Sequence, residues 1–533
     1  MFGMGAMSNS IRELEDSPYI FAIGTNTTDS HPVIALRIKK AVKKGARLVV
    51  ADPRRIDLTR FAHRYLPLRV GSDLALLSAM AHVIVAEQLY RKQFVDERAE
   101  GFEAYAEHVA TLSPEWAESI TGIDPTTIRE VAREYATAER AAICYTLGIT
   151  EHACGVSNVE ALGNLALLTG NLGRRSSGVN PFRGQNNVQG TGDMGCMPES
   201  LPGYMKVANP EERAIVERAW GVPLSAEPGK KKPEVLDAIF AGTLHAMWIV
   251  GDNTVVSDID PERTIAAFRA LDFLVVQDIF LTETARLADV VLPAAASFAE
   301  LDGTYTNSDR HVQRVRKIVE PPGEAKPDWW IVREVARRMG HDWPYAGPSE
   351  IWDEAAAIAP TLHGISYRRL EREKLAWPCT DEHHKGTEFM HEGVFKRGRG
   401  LFMNVSWQPV ADGTDAEFPL VLTTGRRLST YHTGTQTRRA RHFERMQAHE
   451  EIEVHPADAA AVGASDGSVV EIASRRGTVR ALLKITDRSP RGTVFMSFHF
   501  PDETRTNLLS STAVDPTTLT PEFKACAVKI STT

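Results

Sequence analysis

An α/β protein is predicted, with two related doubly wound parallel-sheet units and a C-terminal β-barrel of double-psi-like type, and three observations carry that prediction. Apolar strand runs alternate with amphipathic helical runs through most of the chain. One strand–helix–strand pattern occurs twice at matching spacing. From Phe418 onward the segments become short, β-rich and punctuated by turns.

The elements follow in order. "SNSIRELED" reads as an N-capped helical turn, and "YIFAIG", beginning at Tyr19, as a buried strand. So early an entry into the fold is expected of a free-standing domain, or of a fragment whose first part lies elsewhere. "HPVIALRIKKAVKKG" places Val33, Leu36, Ile38 and Val42 on one helical face with lysines opposite, and Gly45 closes it. "ARLVVAD" is a second strand ending in Asp52. "YLPLRVGSDLALLSAMAHVIVAEQLY" reads as a strand, then Gly71-Ser72-Asp73, then a strongly apolar helix with Asp73 as its N-cap. "PTTIREVAREYA" is a helix opened by Asp124 and Pro125. "AAICYTLGIT" is a buried strand ending near Gly148, Glu151 and His152, where a histidine is either a satisfied loop residue or a ligand.

After the helix "SNVEALGNLALLTGNLG", residues 171–200 carry almost no periodicity, and ordered loops of that length are usually functional. "SAEPGKKKPE" reads as a surface insertion. The expected domains are 1–185 and 186–391, the latter with a small insert at about 298–326, followed by a barrel domain at 392–533.

The repeat is the strongest internal signal. "HAMWIVGDNT" aligns with "YIFAIGTNTT", "FLVVQD" with "RLVVAD", and Leu292-Pro293 with Leu66-Pro67. Gly24 and Asp52 are 28 apart and Gly251 and Asp278 are 27 apart; each Asp precedes its proline by 15. In such units ligands bind beyond the carboxyl ends of the strands, where glycine allows close approach and an acid can accept from a ribose hydroxyl or a guanine edge. Gly24, Asn26 and Asp52 take those places in the first unit, and Gly251, Asn253 and Asp278 in the second. The plainer alternative is that each Gly-x-Asn is a turn and each Asp a helix cap. Neither copy has GxGxxG, which speaks against an NAD or FAD site.

Composition narrows the class. A chain of 533 residues, 43% hydrophobic and 24% charged, is a multidomain globular protein. A net charge of −8 with dispersed basic residues argues against nucleic-acid binding; "TRRAR", at 437–441, reads as a solvated loop or an anionic-ligand clamp. Five cysteines without ligand spacing give no basis for a zinc or iron–sulfur site and fit a reducing compartment. No apolar stretch is long enough for a membrane span, and the expected location is cytoplasmic.

The motifs "GAMSNSI", "GTNTTDSHPVIALRI", "VADPRRI", "ALLTGNLGRRSSGVNPFRGQNNVQGTGDMG", "VVQDIFLTETARLADVVLPA", "TGRRLSTYHTGTQTRR" and "TPEFKACAV" together resemble the catalytic subunit of molybdenum- or tungsten-dependent formate dehydrogenases, in the molybdopterin oxidoreductase (DMSO reductase) superfamily. The resemblance spans residues 3–530, and "NPFRGQNNVQG" is its most specific motif. It implies a bis-molybdopterin guanine dinucleotide cofactor with one nucleotide end in each α/β unit and the barrel closing over both pterins.

Carried over position by position, it implies cofactor contacts at Gly24, Asn26, Asp52, Arg54, Gly71, Asp73, Gly148, Glu151, Gln185, Gly251, Asn253, Gln277, Asp278, Asp328, Thr424, Gly425, Arg426, His432, Asn507 and Lys524. It makes Arg183 the clamp for formate, with His152 nearby. The family's metal-ligating cysteine or selenocysteine and its 4Fe-4S motif would lie upstream of Met1. A missing N-terminal segment or a companion chain is therefore expected as partner, beside electron-transfer subunits linked to NAD or quinone. A non-catalytic scaffold subunit of the same superfamily is the alternative reading, and an NAD-dependent dehydrogenase a third.

Overall fold

The computed structural model describes residues 1–532. Two compact units emerge: Met1–Phe182 with Ser257–Asp260 and Phe389–Thr533, and Arg183–Val256 with Pro261–Glu388.

In the first unit, β1 (Tyr19–Ile23), β2 (Arg47–Ala51), β3 (Arg64–Leu66), β4 (Ala141–Tyr145) and β5 (Gly178–Pro181) form one parallel sheet in the order β3-β2-β1-β4-β5. Alternate residues of each strand enter separate cores. Phe21, Val49 and Ile143 face the helices α2 (Asp73–Ala86), α3 (Pro125–Thr137) and α4 (Gly155–Leu168), while Ile20, Val50 and Cys144 face α1 (Pro32–Lys43). Both faces are thus covered, as near-continuous apolar strands require.

Three local expectations need revision. On α1 the buried residues are Ile34, Ala35, Ile38 and Ala41, whereas Val33 and Leu36 are 66% and 58% exposed. Ile34, Ile38 and Ala41 satisfy the helical period as well as the expected stripe does, and the small alanines let the helix lie close to the sheet. Asp73 does not cap α2 from outside; Ser72 holds the cap position without a side-chain capping bond, and Asp73 is the first helical residue, buried. Within 171–200, Gly178–Pro181 joins the sheet as β5 and Val188–Asp193 forms a short helix, so about a third of the aperiodic stretch is regular structure.

The second unit repeats part of the first. After α5 (Lys232–Phe240) come β6 (Ala246–Val250), α6 (Pro261–Arg269), β7 (Phe273–Asp278) and β8 (Val290–Pro293), forming a parallel sheet in the order β8-β7-β6. That order matches β3-β2-β1. Ile249, Leu274 and Val276 pack into a core with Leu236 and Ile239 of α5 and Ala267 and Phe268 of α6.

β9 (Leu420–Thr424), β10 (Glu451–Val454), β11 (Val469–Ser474), β12 (Thr478–Ile485), β13 (Thr493–Met496) and β14 (Cys526–Thr532) close a barrel in the order β9-β13-β10-β12-β11-β14. Pairs β9–β13 and β10–β12 are parallel and the others antiparallel. The barrel folds within the same compact unit as the first sheet. No helix among the described residues is long and apolar enough to cross a membrane.

Candidate active site

The order of the first sheet reverses between β1 and β4, the place where open α/β sheets bind ligands. There the backbones of Gly24 and Gly148 touch: Gly148 N donates to Gly24 O at 3.2 Å, and a Cβ on Gly148 would lie 2.5 Å from that oxygen. No other residue type fits at Gly148. Gly24 turns the chain with φ +55, and the residues after it present polar atoms inward. Thr25, Thr27 and Thr28 Oγ1 and Asn26 Oδ1 are buried with no hydrogen-bond partner. Buried polar groups are almost always bonded, so four orphans in succession at a strand's carboxyl end mark the seat of a polar ligand.

Asp52 ends the neighbouring strand. Its Oδ1 accepts from Arg54 N at 2.9 Å, and burial raises its pKa to about 6 against the pull of the Arg54 guanidinium. The Arg54 guanidinium lies 3.3 Å from the centre of the Phe495 ring in the barrel, and its Nη2 donates to Glu453 Oε2 at 2.6 Å. Arg427 reaches the other oxygen of Glu453 at 2.9 Å and approaches Glu450 at 3.6 Å. Burial opposes ionisation of Glu453, yet the two guanidiniums together hold its carboxyl below the usual range. Arg54 is thus first a bridge from the Asp52 loop to the barrel, and its Nε, like Arg488 Nε and Ser489 Oγ, is buried without a hydrogen-bond partner. Next along the chain, Arg55, Asp57, Arg60, Tyr65, Asp487 and Arg488 line a cavity of about 390 Å³.

A second cluster of the same unit gathers around the end of β4. His152 is 2% exposed, and its Nδ1 stands 3.5 Å from Glu522 Oε1. Burial raises Asp73 to about 6, and a charged His152 acts against that rise. Lys524 Nζ meets Glu151 Oε2 at 2.8 Å and donates to Thr424 O at 3.0 Å, which ties the loop after β4 to the end of β9. Gly71 (φ +77) approaches Val410 so closely that a Cβ would come within 2.3 Å of Cγ1. Gly425 abuts Phe495, and the Arg426 guanidinium lies over Tyr431 at 4.9 Å. His432 adopts a left-handed conformation at φ +48. Asn507 Nδ2 donates to Asp258 O, which attaches the 257–260 strap to the barrel.

The remaining expected residues belong to the second unit. Arg183 N donates to Ser308 Oγ at 2.9 Å, and its Nε donates to Gln189 Oε1 at 3.0 Å. Gln189, 1% exposed, in turn donates through Nε2 to Asp193 Oδ1 at 2.9 Å and Tyr204 Oη at 2.6 Å, and Trp377 Nε1 donates to Asp193 Oδ2 at 2.7 Å. The guanidinium is therefore fixed by a chain of buried groups. Gln185 lies exposed at the loop crest. Asn253 Oδ1 accepts from Thr284 N and Oγ1, at 3.2 and 2.9 Å, a bracket from β6 to the loop after β7. Gln277 Nε2 donates to Asp328 Oδ1 at 2.5 Å while its Oε1 is an orphan. Asp278 Oδ1 accepts from Phe280 N at 3.3 Å, and Gly251 turns at φ +64.

Sequence reasoning passed over Gln189, Asp193, Glu453, Phe495 and Glu522. Gln189 and Asp193 carry a faint signal in their i,i+4 spacing inside the arginine loop. Glu453 and Phe495 show only the alternation of barrel strands, and Glu522 nothing beyond its loop. Within the first unit, the Gly24–Gly148 backbone contact, the orphaned Thr25, Thr27 and Thr28 hydroxyls and the Asn26 amide suit a polar, anionic ligand. Among the described residues no group of three or more His, Cys, Asp or Glu is placed to hold a metal ion.

Comparison with known proteins shows the family. Residues 3–338 match the molybdopterin oxidoreductase family, and residues 420–527 the molydopterin dinucleotide binding domain. The F420-dependent formate dehydrogenase subunit alpha of Methanocaldococcus jannaschii is 44% identical, covering 99% of this chain and 78% of its own length. Formate dehydrogenase H of Escherichia coli is 38% identical over 99% of this chain and 74% of its own length. Acetylene hydratase from Pelobacter acetylenicus shares the fold, with a TM-score of 0.79 at 21% identity over 99% of this chain and 79% of its own. The chain is a member of the molybdopterin oxidoreductase family and an oxidoreductase.

Proposed function

We propose that the chain is the formate-oxidising portion of a formate dehydrogenase, holding a bis-molybdopterin guanine dinucleotide. One nucleotide end falls to the Gly24–Asn26–Asp52 edge of the first sheet and the other to the Gly251–Asn253–Asp278 edge of the second. The observation that carries the reading is the Arg183 guanidinium, held through Nε by the buried Gln189. A guanidinium fork so fixed orients a small planar carboxylate in one pose. The family relatives named formate dehydrogenase support formate as that carboxylate.

When bound, the molybdenum or tungsten centre of the cofactor supplies the acceptor for the two electrons that leave formate as it becomes carbon dioxide and a proton. The chain's own groups do the rest. Arg183 neutralises and aims the carboxylate. His152, buried against Glu522 and Asp73, is a group that can take up or hand on a proton at Nδ1. Electrons pass to companion subunits, in keeping with the relatives' designation as alpha subunits, and the same reading places the enzyme in the cytoplasm.

Arg183→Lys tests the proposal, because an ammonium keeps the charge and loses the fork. Formate kcat/KM falls by about 100-fold or more while molybdopterin and metal content stay unchanged. Full turnover in that variant refutes the clamp. Protein from a molybdopterin-producing host that carries neither molybdenum nor tungsten points instead to a scaffold subunit.

A further inference from the structure

Gln189 holds Arg183 through an amide, a group that can present either end to a guanidinium although only one end accepts. Its Oε1 takes the Arg183 Nε–H at 3.0 Å, so its Nε2 has to face away. The groups behind it decide that orientation. Nε2 donates to Asp193 Oδ1 at 2.9 Å and to Tyr204 Oη at 2.6 Å. A phenol hydroxyl accepts or donates and tolerates either end of the amide, whereas an ionised carboxylate only accepts. Of the two partners, Asp193 is therefore the one that excludes the reversed amide.

Asp193 is itself fixed in the accepting role. It is 3% exposed, and Trp377 Nε1, a donor only, reaches its Oδ2 at 2.7 Å. Burial pushes its carboxyl up, while hydrogen bonds from Gln189, Trp377, Tyr204 and Thr306 act against that rise. Trp377, 2% exposed, is anchored in turn: the Arg310 guanidinium donates through Nη1 to the Trp377 carbonyl and to Thr387 O. The Tyr204 ring centre lies 5.7 Å from that of the indole. From indole to guanidinium, every donor in the chain meets an acceptor.

We propose that Asp193 is a positioning residue for the substrate: its carboxylate fixes the Gln189 amide and, through it, the plane in which the Arg183 fork meets a small carboxylate. The inference rests on the reading of Arg183 as the formate clamp. An amide in place of the carboxylate keeps the shape and reverses the chain. Trp377 claims the new oxygen, so the new NH2 faces Gln189, whose amide turns to accept it and brings its own NH2 against the Arg183 Nε–H. Two donors then oppose each other, and the guanidinium leaves its plane.

Asp193→Asn and Asp193→Asn/Trp377→Phe test the proposal, with Trp377→Phe as control. In the full chain, isotope-labelled at its arginine nitrogens, the Arg183 Nε–H resonance is assigned by its loss in Arg183→Lys and its exchange with solvent is followed; formate kcat/KM is measured in the holoenzyme. Asp193→Asn is expected to speed exchange about tenfold or more and to lower kcat/KM by about as much, with molybdopterin and metal content unchanged. Without the indole N–H the new amide can turn its oxygen to Gln189, so the double variant is expected to lie within about threefold of Trp377→Phe in both measures. A merely structural role predicts the opposite, a double variant worse than either single one. Should Asp193→Asn alone fail to fold, a folded double variant with its Nε–H protected supports the proposal. Unchanged exchange in Asp193→Asn overturns it, as does a double variant that stays impaired or does not fold. Faster exchange with undiminished kcat/KM, where Arg183→Lys does lose turnover, overturns it as well. Full formate turnover in Arg183→Lys refutes the clamp itself, and the exchange rates then still decide whether Asp193 sets the guanidinium.

Discussion

The first sheet buries Phe21, Val49 and Ile143 on one side and Ile20, Val50 and Cys144 on the other, whereas the second buries Ile249, Leu274 and Val276 and leaves Trp248, Val250 and Phe273 in contact with water. Both arise from the same strand–helix–strand pattern, so the difference lies in what surrounds the pattern. The first copy is followed by a further strand, by helices on both faces and by a barrel that reaches back to its loops through Arg54, Glu453 and Lys524. The second copy has helices on one face. Equal motifs therefore give unequal confinement, and the largest consequence falls on the glycines at the two strand ends.

Gly148→Ala is the most severe way to probe that contrast. The new Cβ would sit 2.5 Å from Gly24 O and 2.7 Å from Gly24 Cα, both backbone atoms that cannot step aside without parting β1 from β4. The expected cost is several kcal/mol, a large share of a domain's net stability. Gly251→Ala meets nothing within 4 Å and carries only the strain of φ +64, about 1–2 kcal/mol. Denaturant unfolding of the two variants measures the difference, and equal costs would remove the distinction between closed and open strand ends.

Core truncations follow at somewhat smaller size. Phe21→Ala empties a fully buried site and is expected to cost about 3–5 kcal/mol. Phe273→Ala acts at a side chain 45% exposed and is expected to cost less than about 1 kcal/mol in the isolated chain. If Phe273→Ala proves as damaging as Phe21→Ala by thermal unfolding, the second sheet's outer face is already packed.

What the sequence made legible follows the same division. Strand runs, the repeat spacing, the Asp124 cap and the barrel's turn-punctuated segments are local patterns, and each forms where its pattern lies. The glycine pair was half legible: Gly24 and Gly148 both stood out as strand-end residues, but only the β1–β4 pairing brings their backbones together. Arg54 was expected to contact the cofactor and is found bridging to Glu453 and Phe495, nearly 400 and 441 positions away in the chain. No window of sequence holds both ends of such a contact. The Arg183 lock was missed for a different reason. An isolated glutamine in an amide-rich loop looks like its neighbours until burial separates Gln189, 1% exposed, from Gln185 at the surface.

The smallest effect concerns protonation at the closed strand end. Burial raises the Asp52 carboxyl from an ordinary 3.8 to about 6, so the folded state prefers its neutral form. A raised acid pKa contributes stability that is fully present below the unfolded value and lost as pH climbs through the folded one. Between about pH 4 and 6 the wild-type protein should therefore forfeit roughly 2 kcal/mol at this site, and above pH 6 the cost stays constant. Asp52→Asn removes the titration while keeping an amide oxygen for the Arg54 N–H. The variant should match the wild type near pH 4 and exceed it by about that amount at pH 7, read by denaturant unfolding across the range. A gap that widens toward low pH would mean that the Arg54 guanidinium, which pulls the carboxyl toward ionisation, outweighs burial at Asp52, and that this strand end is more open to water than its packing indicates.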